Sequence, residues 1–136
     1  MAEGWATYST FLMDEAGFNT PEEHISELHS SVRLAARTVV DANLHSGRFT
    51  FEDGVRYYTK EIGMPAQAAH NEVVKNSMFP GTGAMYLLGL DAILRLRQEL
   101  SVRGGSSFSF KRFHTLLLGF GSIPVSMVSR ELLRRN

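Results

Sequence analysis

An all-α fold is what this sequence predicts: a bundle of about six to seven helices with one long central buried helix, in a single domain over residues 1–136. Three observations predict it. Apolar residues recur at three- to four-residue spacing along nearly the whole chain. Helix-start signatures and glycine stops punctuate that pattern. No stretch shows the alternation of a half-buried strand.

The elements follow in order. Trp5, Tyr8, Leu12 and Ala16 mark a first helix, and Gly17 is its natural stop. Thr20-Pro21-Glu22-Glu23 is a capping box with proline in the first turn. The helix it opens runs to about Ser46, since no breaker intervenes before Gly47. Its apolar face is Ile25, Leu28, Val32, Ala35/Ala36, Val39 and Asn43. Thr50 and Asp53 open a third helix carrying Val55, Tyr58 and Ile62, which ends at Gly63. Pro65 opens a fourth towards Ser77.

Phe79 to Gly83 reads as a turn, followed by a long helix from about Ala84 to Val102. The first half of that helix is apolar almost all round, which marks it as central and buried. Gly104-Gly105-Ser106-Ser107 reads as a flexible loop. Ser109 caps a helix through Leu118, Gly119 to Pro124 is a turn, and a last helix carries Val125, Val128 and Leu132. Its basic end, Arg130 to Arg135, suits the negative pole of a helix dipole.

Composition narrows the chemistry. At 136 residues, 43% hydrophobic and 21% charged, the chain can bury a real core. Its formal net charge is zero, which leaves no basic footprint for nucleic acid. There is no cysteine, so disulfides, thiolate metal sites and thiol nucleophiles are excluded. No apolar run is long enough to span a bilayer, and no signal-peptide pattern opens the chain. A soluble protein is expected, with the cytoplasm favoured by the lack of cysteine.

The most specific local pattern is Arg33, Arg37, Asp41 and His45, spaced four apart along one side of the second helix. Spacing alone favours a solvated charge stripe with an Arg37–Asp41 pair. The functional alternative is a stripe facing a cleft, with arginines for a carboxylate and a histidine oriented by Asp41. The histidines build no metal site by themselves. His24 and His29 are five apart, His45, His70 and His114 are isolated, and there is no HExxH. Gly81-Thr82-Gly83 fails as a dinucleotide fingerprint because Tyr86 occupies the place of the third glycine. Glu3 alone is a weak signal. Tyr86 is either a core residue or a hydroxyl aimed at a cleft.

Four stretches in register resemble one family. They are Glu3 to Tyr8, Arg37 to His45, Phe79-Pro80-Gly81 through Tyr86 to Gly89, and Phe113-His114 through Gly121-Ser122-Ile123-Pro124. Together they resemble the C-terminal part of the bacterial domain-of-unknown-function family number eight hundred eighty-five. That resemblance implies an all-helical, gluzincin-like zinc peptidase, with two histidines and a glutamate base on an upstream HExxH helix. Glu3 matches the third metal ligand. Arg37, Asp41 and His45 match a family stripe. The resemblance implies that Arg37, with Arg33, binds substrate carboxylate or orders the site, while Asp41 and His45 support the catalytic groups. Tyr86 matches a helix-start tyrosine and is the candidate oxyanion donor. Three departures stand out: Thr82-Gly83 follows Pro-Gly where glutamine is usual, Thr10 stands where a glutamate is common, and, most important, the HExxH portion is absent.

The resemblance therefore implies the C-terminal portion of a larger peptidase, inactive alone. Zinc would belong to the parent protein, with none held tightly by this chain. Its partners would be the N-terminal part of the same protein and a peptide substrate, with no nucleic acid and no membrane. The rival expectation is a free-standing helical interaction module that self-associates, as a homodimer, through an apolar surface.

Overall fold

A computed structural model describes residues 1–135, except that the side chain of Arg135 lies outside what is described, as does Asn136. Of the predicted basic end, Arg135 as a charged group thus falls outside the described residues. The described residues form seven α-helices and one short 3-10 turn, with no strand. They are α1 (Ala2–Glu15), α2 (Pro21–His45), α3 (Phe51–Lys60), α4 (Ala66–Met78), α5 (Thr82–Gly104), α6 (Phe110–Gly119) and α7 (Val125–Arg135). The protein is an all-α bundle.

The helix boundaries follow local chemistry. Thr20 and Glu23 complete a reciprocal capping box at the start of α2. Thr50 and Asp53 do the same for α3. Each cap satisfies backbone donors that the helix itself leaves open, at about 1 kcal/mol. Ser109 caps α6 by accepting from the backbone N–H of Arg112. Gly17, Gly47 and Gly63 follow the ends of α1, α2 and α3 with φ near +70°, where a side chain would be strained. The expected flexible loop at residues 104–107 is instead ordered. Gly104 ends α5 and residues 105–107 form a 3-10 turn, tightened by the Ser107 hydroxyl donating to the Gly104 carbonyl.

Two apolar clusters make the core. Tyr8, Ile93, Leu96, Phe113, Leu117, Val125, Val128 and Leu132 join α1, α5, α6 and α7. Ala36, Val40, Tyr58, Ala69 and Val73 join α2, α3 and α4. The long helix α5 is central, packing on α1, α2 and α7. Its apolar girdle is not fully enclosed, since Met85 and Leu88 remain exposed.

The expected apolar face of α2 is corrected by the packing. The helix buries Ala36 from the predicted stripe, but its other buried residues, Val40 and Asp41, lie one step round from it. Ile25, Leu28, Val32 and Val39 point outward, with Ile25 66% and Leu28 54% exposed. The row is periodic and apolar as read, but none of its large residues meets the core described here.

Two close backbone approaches fix the helix layout. At the α1–α5 crossing, a Cβ on Gly4 would lie 2.5 Å from the Gly89 Cα, and the reverse contact is equally short. At the α2–α5 crossing, a Cβ on Gly83 would lie 2.6 Å from the Arg37 carbonyl oxygen. Glycine permits both approaches because it alone lacks the colliding atom. The seam between the two core clusters runs past these crossings.

Candidate functional site

A cavity of about 480 Å³ opens on this seam. Its lining comes from four helices: Glu3 from α1, Arg37 from α2, Glu72, Lys75 and Asn76 from α4, and Gly83, Met85 and Tyr86 from the start of α5. The Gly4–Gly89 contact sets the register of α1 on α5, and so places Glu3 in the same cavity as Tyr86. Phe79, just after α4, adds an exposed apolar side chain.

Arg37 is held firmly. Its Nε donates to Glu72 at 2.7 Å and its Nη2 donates to the other carboxylate oxygen at 2.8 Å. This planar, two-point pairing is the geometry that guanidinium groups favour. The hydrogen bond from Arg37 outweighs burial and holds the Glu72 carboxyl below its ordinary 4.5. The same pairing raises the Arg37 guanidinium further. The Arg37 guanidinium also lies 6.0 Å from the Tyr86 ring centre. The intrahelical Arg37–Asp41 pair expected from spacing does not form, because each residue has a cross-helix partner instead.

Asp41 is buried and serves the backbone of α5. One oxygen accepts from the Gly81 N–H at 2.9 Å and the other from the Gly83 N–H at 2.7 Å. A carboxylate at this end also meets the positive pole of the helix dipole. Thr38 adds a hydroxyl donated to the Gly83 carbonyl. Gly81, at φ +81°, turns the chain into the helix so that both amides reach Asp41.

His45 is exposed, and its Nε2 donates to the Asn76 carbonyl at 2.9 Å, with Asp41 3.4 Å away. The histidine thus ties the end of α2 to α4. Asp41 and His45 do not line the cavity; they hold the helices that form it. Arg33 is exposed further up α2 and does not line it either. Of the sequence candidates, the fold brings Glu3, Arg37 and Tyr86 together, backs them with Asp41 and His45, and leaves Arg33 apart.

Glu72, Lys75 and Asn76 are the charged and polar site residues that sequence reasoning missed. Asn76 is buried and its side-chain amide donates to the Tyr58 hydroxyl and the Arg37 carbonyl. Burial pushes the Tyr58 hydroxyl up to about 12. The available signal was the three- and four-residue spacing of Glu72, Lys75 and Asn76 on one face of α4.

The Glu72 shift carries a stability prediction. A lowered folded value means that the paired carboxylate stabilises the fold fully above pH 4.5 and loses this contribution as pH falls through the folded value. Acid unfolding followed by circular dichroism should therefore begin below pH 4.5, and Glu72→Gln, which has no proton to gain, should lose this part of the pH dependence without gaining resistance to acid. The variant should be less stable than the parent at neutral pH.

Two other histidines have partners of their own. His24 pairs with Asp14, and His114 meets the buried Tyr8 hydroxyl at 2.9 Å, beside Arg97. Among the described residues, no group of three His, Cys, Asp or Glu is placed to hold a metal ion. Glu3 fits as one carboxylate ligand, not as a complete set.

An all-helical bundle with a charged cavity at a four-helix seam is the class defined by this geometry. The chain belongs to the family described as "Bacterial protein of unknown function (DUF885)", which matches over residues 1–132. It is similar to a crystal structure described as "the putative lipoprotein from Colwellia psychrerythraea", with 32% sequence identity and a TM-score of 0.90. That match covers 97% of this chain and 23% of the other, so this chain spans under a quarter of the solved one. No curated protein matches the chain. No described helix is long and apolar enough to cross a membrane. A cytoplasmic location, favoured from composition, finds no support in a neighbour described as a lipoprotein.

Proposed function

We propose that this chain is the C-terminal portion of a zinc-dependent peptidase, contributing one metal ligand and part of the substrate cleft. The observation that carries this reading is the meeting of Glu3, Arg37 and Tyr86, distant in sequence, around one cavity. Glu3 would be the third ligand, with two histidines and the general base on an HExxH segment outside this chain. The small share of the solved neighbour that the chain spans supports a longer parent. Bound zinc would supply an activated water.

The chain's own residues have distinct tasks. Tyr86 is placed to donate its phenol to the oxygen of the carbonyl under attack. Arg37, fixed by Glu72, presents a rigid positive group to the cavity and orders its wall. Asp41 and His45 act through the helices they join, not on substrate. A single carboxylate is a poor metal site. Calorimetric zinc titration of this chain should accordingly show no tight stoichiometric binding, and a peptidase assay should show no turnover. Tight one-to-one binding or sustained hydrolysis would overturn the assignment.

One observation favours a second reading, a self-associating interaction module. The outward row Ile25, Leu28, Val32 and Val39 is unusually apolar for a surface helix. In the peptidase reading this row is covered by the rest of the parent. Light scattering after size exclusion separates the two: a stable homodimer, dispersed by Leu28→Glu and Val32→Glu, supports the module.

A further inference from the structure

We propose that Lys75 is the anion-binding group of the cavity and selects peptides that end in a free carboxylate, a role that rests on the peptidase reading and deepens it. Arg37 is the obvious anchor by type, but its Nε and Nη2 are both engaged by Glu72. The Arg37–Glu72 pair is thereby balanced within itself. The Lys75 ammonium is differently placed. Its side chain is 67% exposed, and its Nζ lies 3.5 Å from a Glu72 oxygen that already accepts from Arg37. A flexible four-carbon stem with three donors can swing to an incoming anion at little cost.

The cavity is polarised by this arrangement. Glu72, Lys75 and Asn76 share one face of α4, and Phe79 follows just beyond the helix end on the same side of the cavity. Arg37 and Lys75 against Glu72 leave one net positive charge on that side. Glu3 and Tyr86 belong to the α1–α5 wall. A substrate spanning the two walls would lay its reacting carbonyl near Glu3 and Tyr86 and its terminal carboxylate at Lys75. Phe79 and Met85, both exposed beside the cavity, would meet the intervening side chain. A volume near 480 Å³ suits a segment of small-ligand size, so cleavage would fall close to the carboxyl terminus. The substrate class is then that of a carboxy-terminal exopeptidase.

The test needs no metal. The chain is titrated by amide-resolved NMR with acetyl-trialanine and, separately, with its C-terminal amide. The acid should bind about tenfold more tightly than the amide, as a charge-assisted contact implies. Its shifts should centre on Lys75, Phe79 and Gly83. Lys75→Met should erase the preference without altering the thermal midpoint, and Lys75→Arg should keep it. Glu3→Gln, which removes the proposed metal ligand, should also keep it. The proposal falls if acid and amide bind alike, if neither binds, if Lys75→Met retains the preference, or if Glu3→Gln abolishes it. None of these failures bears on whether Glu3 holds zinc in the longer protein.

Discussion

Gly89→Ala should destabilise the protein by about 3 kcal/mol or more, beyond the usual range for a single added methyl. The Cβ would sit 2.5 Å from the Gly4 Cα, a backbone atom that cannot rotate away. Relief requires α1 to move off α5 as a body, which also loosens Tyr8 from Ile93 and Leu96 in the larger core cluster. Because Glu3 adjoins the crossing, the same displacement should carry it away from Tyr86. Gly119→Ala supplies the contrast. Nothing lies within 4 Å of a Cβ there and its φ is not positive, so the change should be neutral or stabilising by up to about 1 kcal/mol. Urea unfolding of the two variants reads the difference; equal midpoints would show that the two backbones are not in contact.

Asp41→Ala should cost about 3 kcal/mol, because it strips the acceptor from two N–H groups at the start of α5. The Gly83 amide is buried, so water does not readily take the carboxylate's place. Asp41→Asn is the informative companion. Its single carbonyl can serve only one of the two amides, so an intermediate loss is expected. Hydrogen exchange should localise the damage, with protection lost first in the opening turn of α5. Uniform loss along the chain would contradict a local anchoring role.

Particular residues show what the sequence made legible. Helix starts were readable wherever a side chain closes on its own backbone, as at Thr20, Thr50 and Ser109, because three-residue spacing decides the contact. Stops were readable at Gly17, Gly47 and Gly63 because the left-handed turn selects glycine. The row Arg37, Asp41, His45 is readable as a pattern, and only the family motifs around it imply that it faces a cleft. Its partners were not readable. Glu72, Asn76 and the amides of Gly81 and Gly83 lie on other helices, and spacing within α2 says nothing about them. Spacing within α2 therefore suggests an Arg37–Asp41 pair, whereas the fold pairs Arg37 with Glu72. The outward face of α2 failed for a related reason. Periodicity finds an apolar stripe but not what covers it, and Ala36 and Val40 share the helix with a second, stronger-looking row. The glycine crossing did leave a trace, since Gly4 and Gly89 sit inside helices that would otherwise avoid glycine.

In the proposed peptidase, one zinc ion is shared between Glu3 and residues outside this chain. Anomalous diffraction at the zinc edge, from crystals of the proposed longer protein, tests this directly. It should place a zinc ion about 2.0–2.2 Å from a Glu3 carboxylate oxygen, with Tyr86 facing the same space. An ordered zinc site elsewhere, with Glu3 outside its coordination sphere, would contradict the account.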